Sequence, residues 1–340
     1  MSTPRAATPK SLGYRMPAEY APHLRTWMMW PCRAEVWPDM AATRRDYAAV
    51  AHAIRAFEPL TMAVRPQDMA GARHLLGSDI DLFEVPLDDS WARDAGPNFV
   101  TDGKGGRAAS LFRFSAWGGK YAPFDKDAAF GQRVMDRLGL PAFTSALKAE
   151  GGGVSVDGAG TILTTLTCFP NANRNPDWSL DAITGELMDM LGGDKVIWLP
   201  GNEDETETDG HTDGIAIFVA PGVVMIEGAD DPTDPWRATK QANIDALRGQ
   251  TDAQGRTIRM IEVPEADASC ALNDKFCRSY VNSYFVNGGV IMPDYGIRND
   301  GLVAEMFQDI FPDRRVAGVR IPNIALGGGG IHCITQQEAA

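Results

Sequence analysis

Several things are scarce in this 340-residue chain, and each scarcity excludes something. Four of its five cysteines (Cys32, Cys168, Cys270, Cys277) have no paired spacing, which excludes a zinc ligand set or a disulfide framework. Unpaired thiols fit a reducing compartment, so a cytoplasmic protein is expected. Cations are outnumbered, 32 Lys and Arg against 45 Asp and Glu, for a formal net charge of −13. That balance argues against nucleic acid or an anionic membrane as a partner and favours a cationic ligand. No apolar run approaches the ~20 residues of a membrane span. Residues 1–10 are polar and contain Pro4 and Pro9, unlike a signal peptide. A disordered leader over 1–12 is expected, followed by one catalytic domain over 13–340. Length alone would equally fit two domains.

What the chain does have is concentrated in glycine-bearing turns. Gly327-Gly328-Gly329-Gly330-Ile331-His332-Cys333 runs four glycines into one cysteine. Without a Cβ, such a run lets a ligand approach the main chain closely. A thiol presented there is a candidate nucleophile if a positive charge or N–H dipoles lie near it. The alternative is a flexible glycine-rich tail with an incidental cysteine.

Two other stretches weigh against that alternative. Asp209-Gly210-His211-Thr212-Asp213-Gly214 leads into the apolar run Ile215–Ala220, which reads as a buried strand. Strand alternation would point His211 and Asp213 the same way. A histidine moves protons near neutral pH, and a neighbouring carboxylate holds a cation. Asp88-Asp89-Ser90-Trp91-Ala92-Arg93-Asp94-Ala95-Gly96-Pro97 leads likewise into Asn98-Phe99-Val100, and Glu150-Gly151-Gly152-Gly153 into Val154-Ser155-Val156. Asp–Gly pairs also mark ordinary turns, and Arg93–Asp94 could form a plain ion pair. The conjunction of one His, one Cys and three isolated acids in such turns is harder to assign to structure alone.

That set, in this order, resembles the agmatine deiminase family of the guanidine-modifying (pentein) superfamily. Met16-Pro17-Ala18-Glu19-Tyr20, Thr26–Pro31, Trp91–Pro97, Glu150-Gly151-Gly152, Gly210–Asp213 and Gly329–Gln337 carry the resemblance, which spans nearly the whole chain. It implies that Cys333 attacks a guanidinium carbon, that Asp94 and Asp213 hold the guanidinium nitrogens, that His211 moves protons and that Glu150 supports it or the substrate. The product would be N-carbamoylputrescine with release of ammonia, through a covalent thiouronium, with no metal or organic cofactor. Chemistry agrees: a guanidinium is a poor electrophile, and carboxylates match its forked N–H geometry while localising its charge.

The resemblance also implies a pocket. Trp91 could stack on the planar guanidinium, and Trp117, in Trp117-Gly118-Gly119-Lys120-Tyr121, lies in a segment close to the site in similar proteins. Core packing is the default for both tryptophans. Asp88, Glu207, Asp209 and Gly330 complete the expected substrate-binding set. The acidic run Glu203–Asp209 would attract a cationic tail, or else is a solvated loop. Three positions depart from the usual pattern: Gly330 for Asn, Asp209 for Asn and Ala92 for Met. These touch substrate choice more than chemistry. Other readings are a deiminase of a modified polyamine or an arginine peptide, an amidinotransferase, and a non-catalytic guanidine-binding protein. A homodimer is the family-like expectation.

Helical and strand patterns alternate along the chain. Helices are expected over 44–57, 67–76, 128–138, 179–191, 234–247 and 302–311. Strands are expected over 60–64, 80–85, 195–199, 222–227, 258–263, 283–292 and 315–321. This rhythm fits a generic α/β sandwich as well as the α/β propeller of pseudo-five-fold ββαβ units around a central active site, which the resemblance implies.

Overall fold

The computed structural model describes residues 7–340. Its strands form five separate sheets built to one pattern: two antiparallel strands, a helix, then a third strand parallel to the second. The first unit holds β1 (His23–Met29) and β2 (Leu60–Val64), with β3 (Asp81–Glu84) added beyond β2. The second holds β4 (Asn98–Thr101), β5 (Arg107–Leu111) and β6 (Ala142–Thr144). The third holds β7 (Ser155–Val156), β8 (Thr161–Thr165) and β9 (Lys195–Leu199). The fourth holds β10 (Ala216–Ala220), β11 (Val223–Glu227) and β12 (Arg259–Val263). The fifth holds β13 (Tyr284–Val286), β14 (Gly289–Asp294) and β15 (Arg315–Arg320). The first unit draws its antiparallel strand, β16 (Thr335–Ala339), from the other end of the sequence, pairing Trp27 with Gln336. These five ββαβ units are the arrangement expected from the resemblance.

Each parallel step needs a crossover, and an amphipathic helix supplies it. Met40–Arg55 buries Thr43, Tyr47, Val50, Ala51 and Ile54 at helical spacing, and Asp39 caps it by accepting from the Ala42 N–H. Leu180–Leu191 buries Ile183, Leu187, Met190 and Leu191 and is capped by Ser179. The helices Phe130–Leu138, Arg237–Leu247 and Arg298–Ile310 do the same for the other units. β2, buried at every residue, reads as the apolar interior of a covered parallel pair. First strands of different units abut: β7 touches β10, and β4 touches β16. Ser155 Oγ accepts from the Phe218 N–H across the first of these joins at 2.9 Å.

Two expectations are corrected. Residues 283–292 are a hairpin rather than one strand, because Asn287-Gly288 forms its two-residue connection with Gly288 at φ 72°. The leader expected to be disordered over 1–12 contains a 3-10 turn at Lys10–Leu12, held where Lys10 Nζ lies 3.1 Å from Asp194; residues 1–6 lie outside the described residues. Among the described residues no helix is long and apolar enough to cross a membrane.

Candidate active site

The segment just ahead of each unit's first strand contributes to one cluster. Asp94 precedes β4, Glu150 precedes β7, His211 and Asp213 precede β10, Asn282 precedes β13 and Cys333 precedes β16. The thiol of Cys333 is half-buried. It donates to Asp213 Oδ2 at 3.5 Å and accepts from Asn282 Nδ2 at 3.2 Å. Asn282 is itself fixed, its Oδ1 accepting from the His332 N–H at 3.0 Å and its Nδ2 donating to the Asp213 carbonyl at 3.2 Å.

Asp94 faces the thiol from the second unit. Its Oδ2 accepts from Trp117 Nε1 and its Oδ1 from the Gly152 N–H, both at 2.9 Å. His211 Nδ1 stands 3.7 Å from Asp94 Oδ1, beyond hydrogen-bonding distance, and is buried with no hydrogen-bond partner among the described residues. Its Nε2 lies 3.5 Å from Glu150 Oε2, and the buried Arg174 Nε donates to that same oxygen at 2.9 Å. Strand alternation is not what aligns His211 with Asp213. Thr212–Gly214 is a 3-10 turn, and β10 begins only at Ala216. Gly152 is the common floor: a Cβ there would lie 2.6 Å from His211 Nδ1, 2.8 Å from Asp94 Oδ1 and 3.0 Å from Asp213 Oδ2.

Burial and charge set the protonation states. Burial and the nearby Asp213, Cys277 and Asp94 hold the Cys333 pKa well above that of an ordinary thiol. Burial works against a charged His211, but Asp94, Cys168 and Glu150 outweigh it and raise its pKa well above the usual value. Burial also opposes ionisation of Asp213, yet the His332 ring overcomes it and lowers its pKa. The resting site at neutral pH therefore pairs a neutral thiol with a cationic His211 and an anionic Asp213.

A relay not read from the sequence stands behind Asp213. His332 Nδ1 lies 2.8 Å from Asp213 Oδ2, and its Nε2 lies 2.7 Å from Glu19 Oε2. Arg93 Nη2 donates to the same Glu19 oxygen at 2.9 Å, so Arg93 pairs with Glu19 rather than with its neighbour Asp94. Burial would raise the Glu19 pKa, but His332 and Arg93 lower it from 4.5 to about 2. A depressed carboxyl pKa contributes stability above pH 4.5 that is lost as pH falls through about 2. Glu19→Gln is expected to cost about 3 kcal/mol in urea melts at pH 7, with the gap to wild type closing below pH 4.5.

The expected pocket residues divide. Trp91, Trp117, Tyr121 and Glu207 line a narrow slot of about 30 Å³ together with Asp94, Cys333 and Asp89. A cavity of about 530 Å³ adjoins it, sharing Cys333 and Glu207 and adding His211, Asp213 and Asn282. Trp91 packs against Trp37 in a tilted arrangement with ring centroids 5.3 Å apart and meets Trp117 edge-on. Asp88 turns away from the slot and holds the Lys126 N–H and ammonium at 2.9 and 3.0 Å, while Asp89, one residue on, faces it. Asp209 is taken up by Arg174 and Lys120, so it braces the loop rather than lining the slot. Gly330 touches Asn282 instead of substrate space: a Cβ there would fall 2.5 Å from Asn282 Oδ1. Cys32 lies behind the slot wall, its Sγ 3.6 Å from the Asp89 carbonyl. Cys277 lines the wide cavity. Glu150, Cys168 and His211 offer donor atoms within 4.8 Å of one another. A cation there would compete with Arg174 for Glu150.

Comparison with known proteins places this geometry. The chain is 40% identical to an agmatine deiminase of Stutzerimonas stutzeri, with 99% of each chain covered. Its fold superposes on an agmatine deiminase of Enterococcus faecalis with a TM-score of 0.94 at 34% identity, again over 99% of each chain. The fold alone is shared with the N-terminal domain of a cyanobacterial arginine dihydrolase, at a TM-score of 0.56 and 13% identity over 93% of this chain and 98% of that one. Residues 15–339 match the model of the Porphyromonas-type peptidyl-arginine deiminases, and the chain belongs to that family.

Proposed function

We propose that the protein is a hydrolase that converts agmatine to N-carbamoylputrescine and ammonia, with residues 13–340 acting as one catalytic domain. The observation that carries this reading is the placement of the Cys333 thiol between two carboxylates, Asp94 and Asp213, with His211 Nδ1, unpartnered among the described residues, facing the gap. The name borne by its relatives in Stutzerimonas stutzeri and Enterococcus faecalis supports it.

The chemistry follows from that placement. Asp94 and Asp213 receive the guanidinium N–H groups in paired, charge-assisted hydrogen bonds. The substrate's positive charge offsets the two carboxylates that hold the thiol neutral, so Cys333 loses its proton to water as the cation binds. Its sulfur bonds to the guanidinium carbon. His211, cationic at rest, gives its proton to the departing nitrogen, the C–N bond breaks and ammonia leaves a thiouronium on Cys333. Neutral His211 then takes a proton from water, the hydroxide adds to the same carbon and the C–S bond breaks. The hydroxyl proton of the adduct passes to the departing sulfur, so the ureido product leaves and Cys333 returns to its resting thiol. Asn282 Nδ2, donating to the sulfur, stabilises its negative charge at both ends of the cycle, and Glu150, held by Arg174, keeps the His211 ring in place.

The slot favours a small guanidine with a cationic tail over an arginine peptide. It is lined by Trp91, Trp117 and Tyr121 and carries a carboxylate, Glu207, where a tail ammonium would sit. The same proposal puts the protein in the cytoplasm, where its free thiols stay reduced.

The test is turnover of agmatine, arginine, 4-guanidinobutyrate and an arginine peptide, followed by ammonia and ureido product. Agmatine is expected to exceed the others in kcat/KM by about 10²-fold or more, since burying a cation on a matched carboxylate is worth a few kcal/mol. Acid-quenched mass spectra should show the amidino adduct on the Cys333 peptide. Preferred turnover of the arginine peptide would overturn the substrate, and absence of the adduct would overturn the mechanism.

A further inference from the structure

The carboxylate that would receive the substrate's tail is already occupied by a cation of this chain. Lys275, in the segment leading to β13, brings Nζ to 3.6 Å from Glu207 Oε2 and donates to Tyr121 Oη at 3.4 Å. Its ammonium lies 5.6 Å from the centre of the Tyr121 ring, and Tyr121 Oη donates to Glu207 Oε2 at 2.5 Å. Four units contribute to this corner, because Gly328 passes beside both Glu207 and Lys275. A Cβ at Gly328 would lie 3.4 Å from the Glu207 side chain and 3.7 Å from that of Lys275. Both ionic side chains are 27% exposed, and the 3.6 Å separation is loose for an ion pair. Such a pair is weak and easily exchanged.

We propose that Lys275 is a specificity-determining residue that acts as a resident stand-in for the tail ammonium, holding Glu207 and Tyr121 in their receiving positions and yielding the carboxylate when a cationic tail enters. This rests on the agmatine reading above. A guanidine with a neutral tail cannot exchange with Lys275 and gains nothing at Glu207. A cationic tail must first displace it, so the lysine lowers affinity for the intended substrate while keeping the receiving carboxylate ordered.

Steady-state kinetics of wild type, Lys275→Met and Glu207→Gln on agmatine and on 1-butylguanidine separates the possibilities. The second compound has the same guanidinium and four-carbon chain with a hydrogen in place of the ammonium. Lys275→Met is expected to lower KM for agmatine by about three- to tenfold, the size of a weak exposed ion pair. Its KM for 1-butylguanidine should stay within about twofold of wild type. Glu207→Gln should raise only the agmatine KM. A higher agmatine KM in Lys275→Met, or equal shifts for both guanidines, would show that Lys275 merely props the slot and would overturn the inference. Calorimetric titration with 1,4-diaminobutane provides a readout independent of turnover. Tighter binding by Lys275→Met, abolished in Lys275→Met/Glu207→Gln, is expected, and equal affinity in wild type and Lys275→Met overturns the inference. If wild type turned over neither guanidine, the agmatine reading would fall while that titration still decided the role of Lys275.

Discussion

Cys333→Ala is expected to reduce ammonia release from agmatine by at least about 10⁵-fold while leaving the fold intact, because it removes the covalent route itself. The main-chain contacts of the residue survive the exchange: its carbonyl still accepts from the Arg93 N–H at 3.2 Å. Agmatine should still bind, since Asp94, Asp213 and Glu207 remain. The same argument fixes how the wild-type thiol behaves. Burial, Asp213 and Asp94 raise its pKa well above that of a free cysteine, so at pH 7 the free enzyme carries a thiol and not a thiolate. Iodoacetamide, which is neutral, should therefore label Cys333 slowly at pH 7 and faster as pH rises. A cationic reagent such as 2-chloroacetamidine should label it faster at pH 7, because its amidinium sits between the carboxylates and relieves the charge that holds the proton on sulfur. Rapid, pH-independent labelling by iodoacetamide would contradict the protonation state argued here.

Gly152→Ala carries the second large effect and tests the geometry rather than the nucleophile. Gly152 does not have a left-handed backbone, so alanine is not strained in itself. The added methyl would instead meet His211, Asp94 and Asp213 at 2.6, 2.8 and 3.0 Å and force at least two of them outward. Displacements of this size cost about 10²-fold when they spoil alignment. With the proposed proton donor and a proposed guanidinium acceptor both affected, kcat/KM should fall by about 10³-fold. Thermal melting should change little. Near wild-type activity would mean that these three side chains do not converge on the Gly152 Cα.

Much of this site was legible because its chemistry and its backbone demands coincide. Cys333, His211, Asp94, Asp213 and Glu150 stand in glycine turns ahead of apolar strands, and those turns are where five chain segments meet. The glycines themselves were readable only in part. Of the quartet before Cys333, only Gly328 has a positive φ. Gly327, Gly329 and Gly330 are glycine because Trp37, Trp91 and Asn282 press against them, and that contact is not written locally. Asn282 escaped notice because an amide at the head of an apolar strand has no signature; its role depends on Cys333, 51 residues away. Glu19 and His332, 313 residues apart, were inside recognised motifs without an assigned partner. Asp88 is expected at the slot, yet it holds Lys126 while Asp89 lines the slot, because only the three-dimensional path of the turn decides which of two adjacent acids faces inward. The single strand expected over 283–292 overlooked the Asn287-Gly288 turn signal.

The pairing of β16 with β1 has a consequence for synthesis. Trp27 bonds to Glu338, 311 residues later. A ribosome therefore finishes the second to fifth units, each with its own neighbouring strands, while the first still lacks a partner. The strand that completes the first sheet is also the one that delivers the thiol. A nascent chain that ends after the fifth unit carries Asp94 and Asp213 and still lacks Cys333. On the proposed mechanism the nucleophile and the closing strand arrive in the same few residues, so a chain cut before them lacks both.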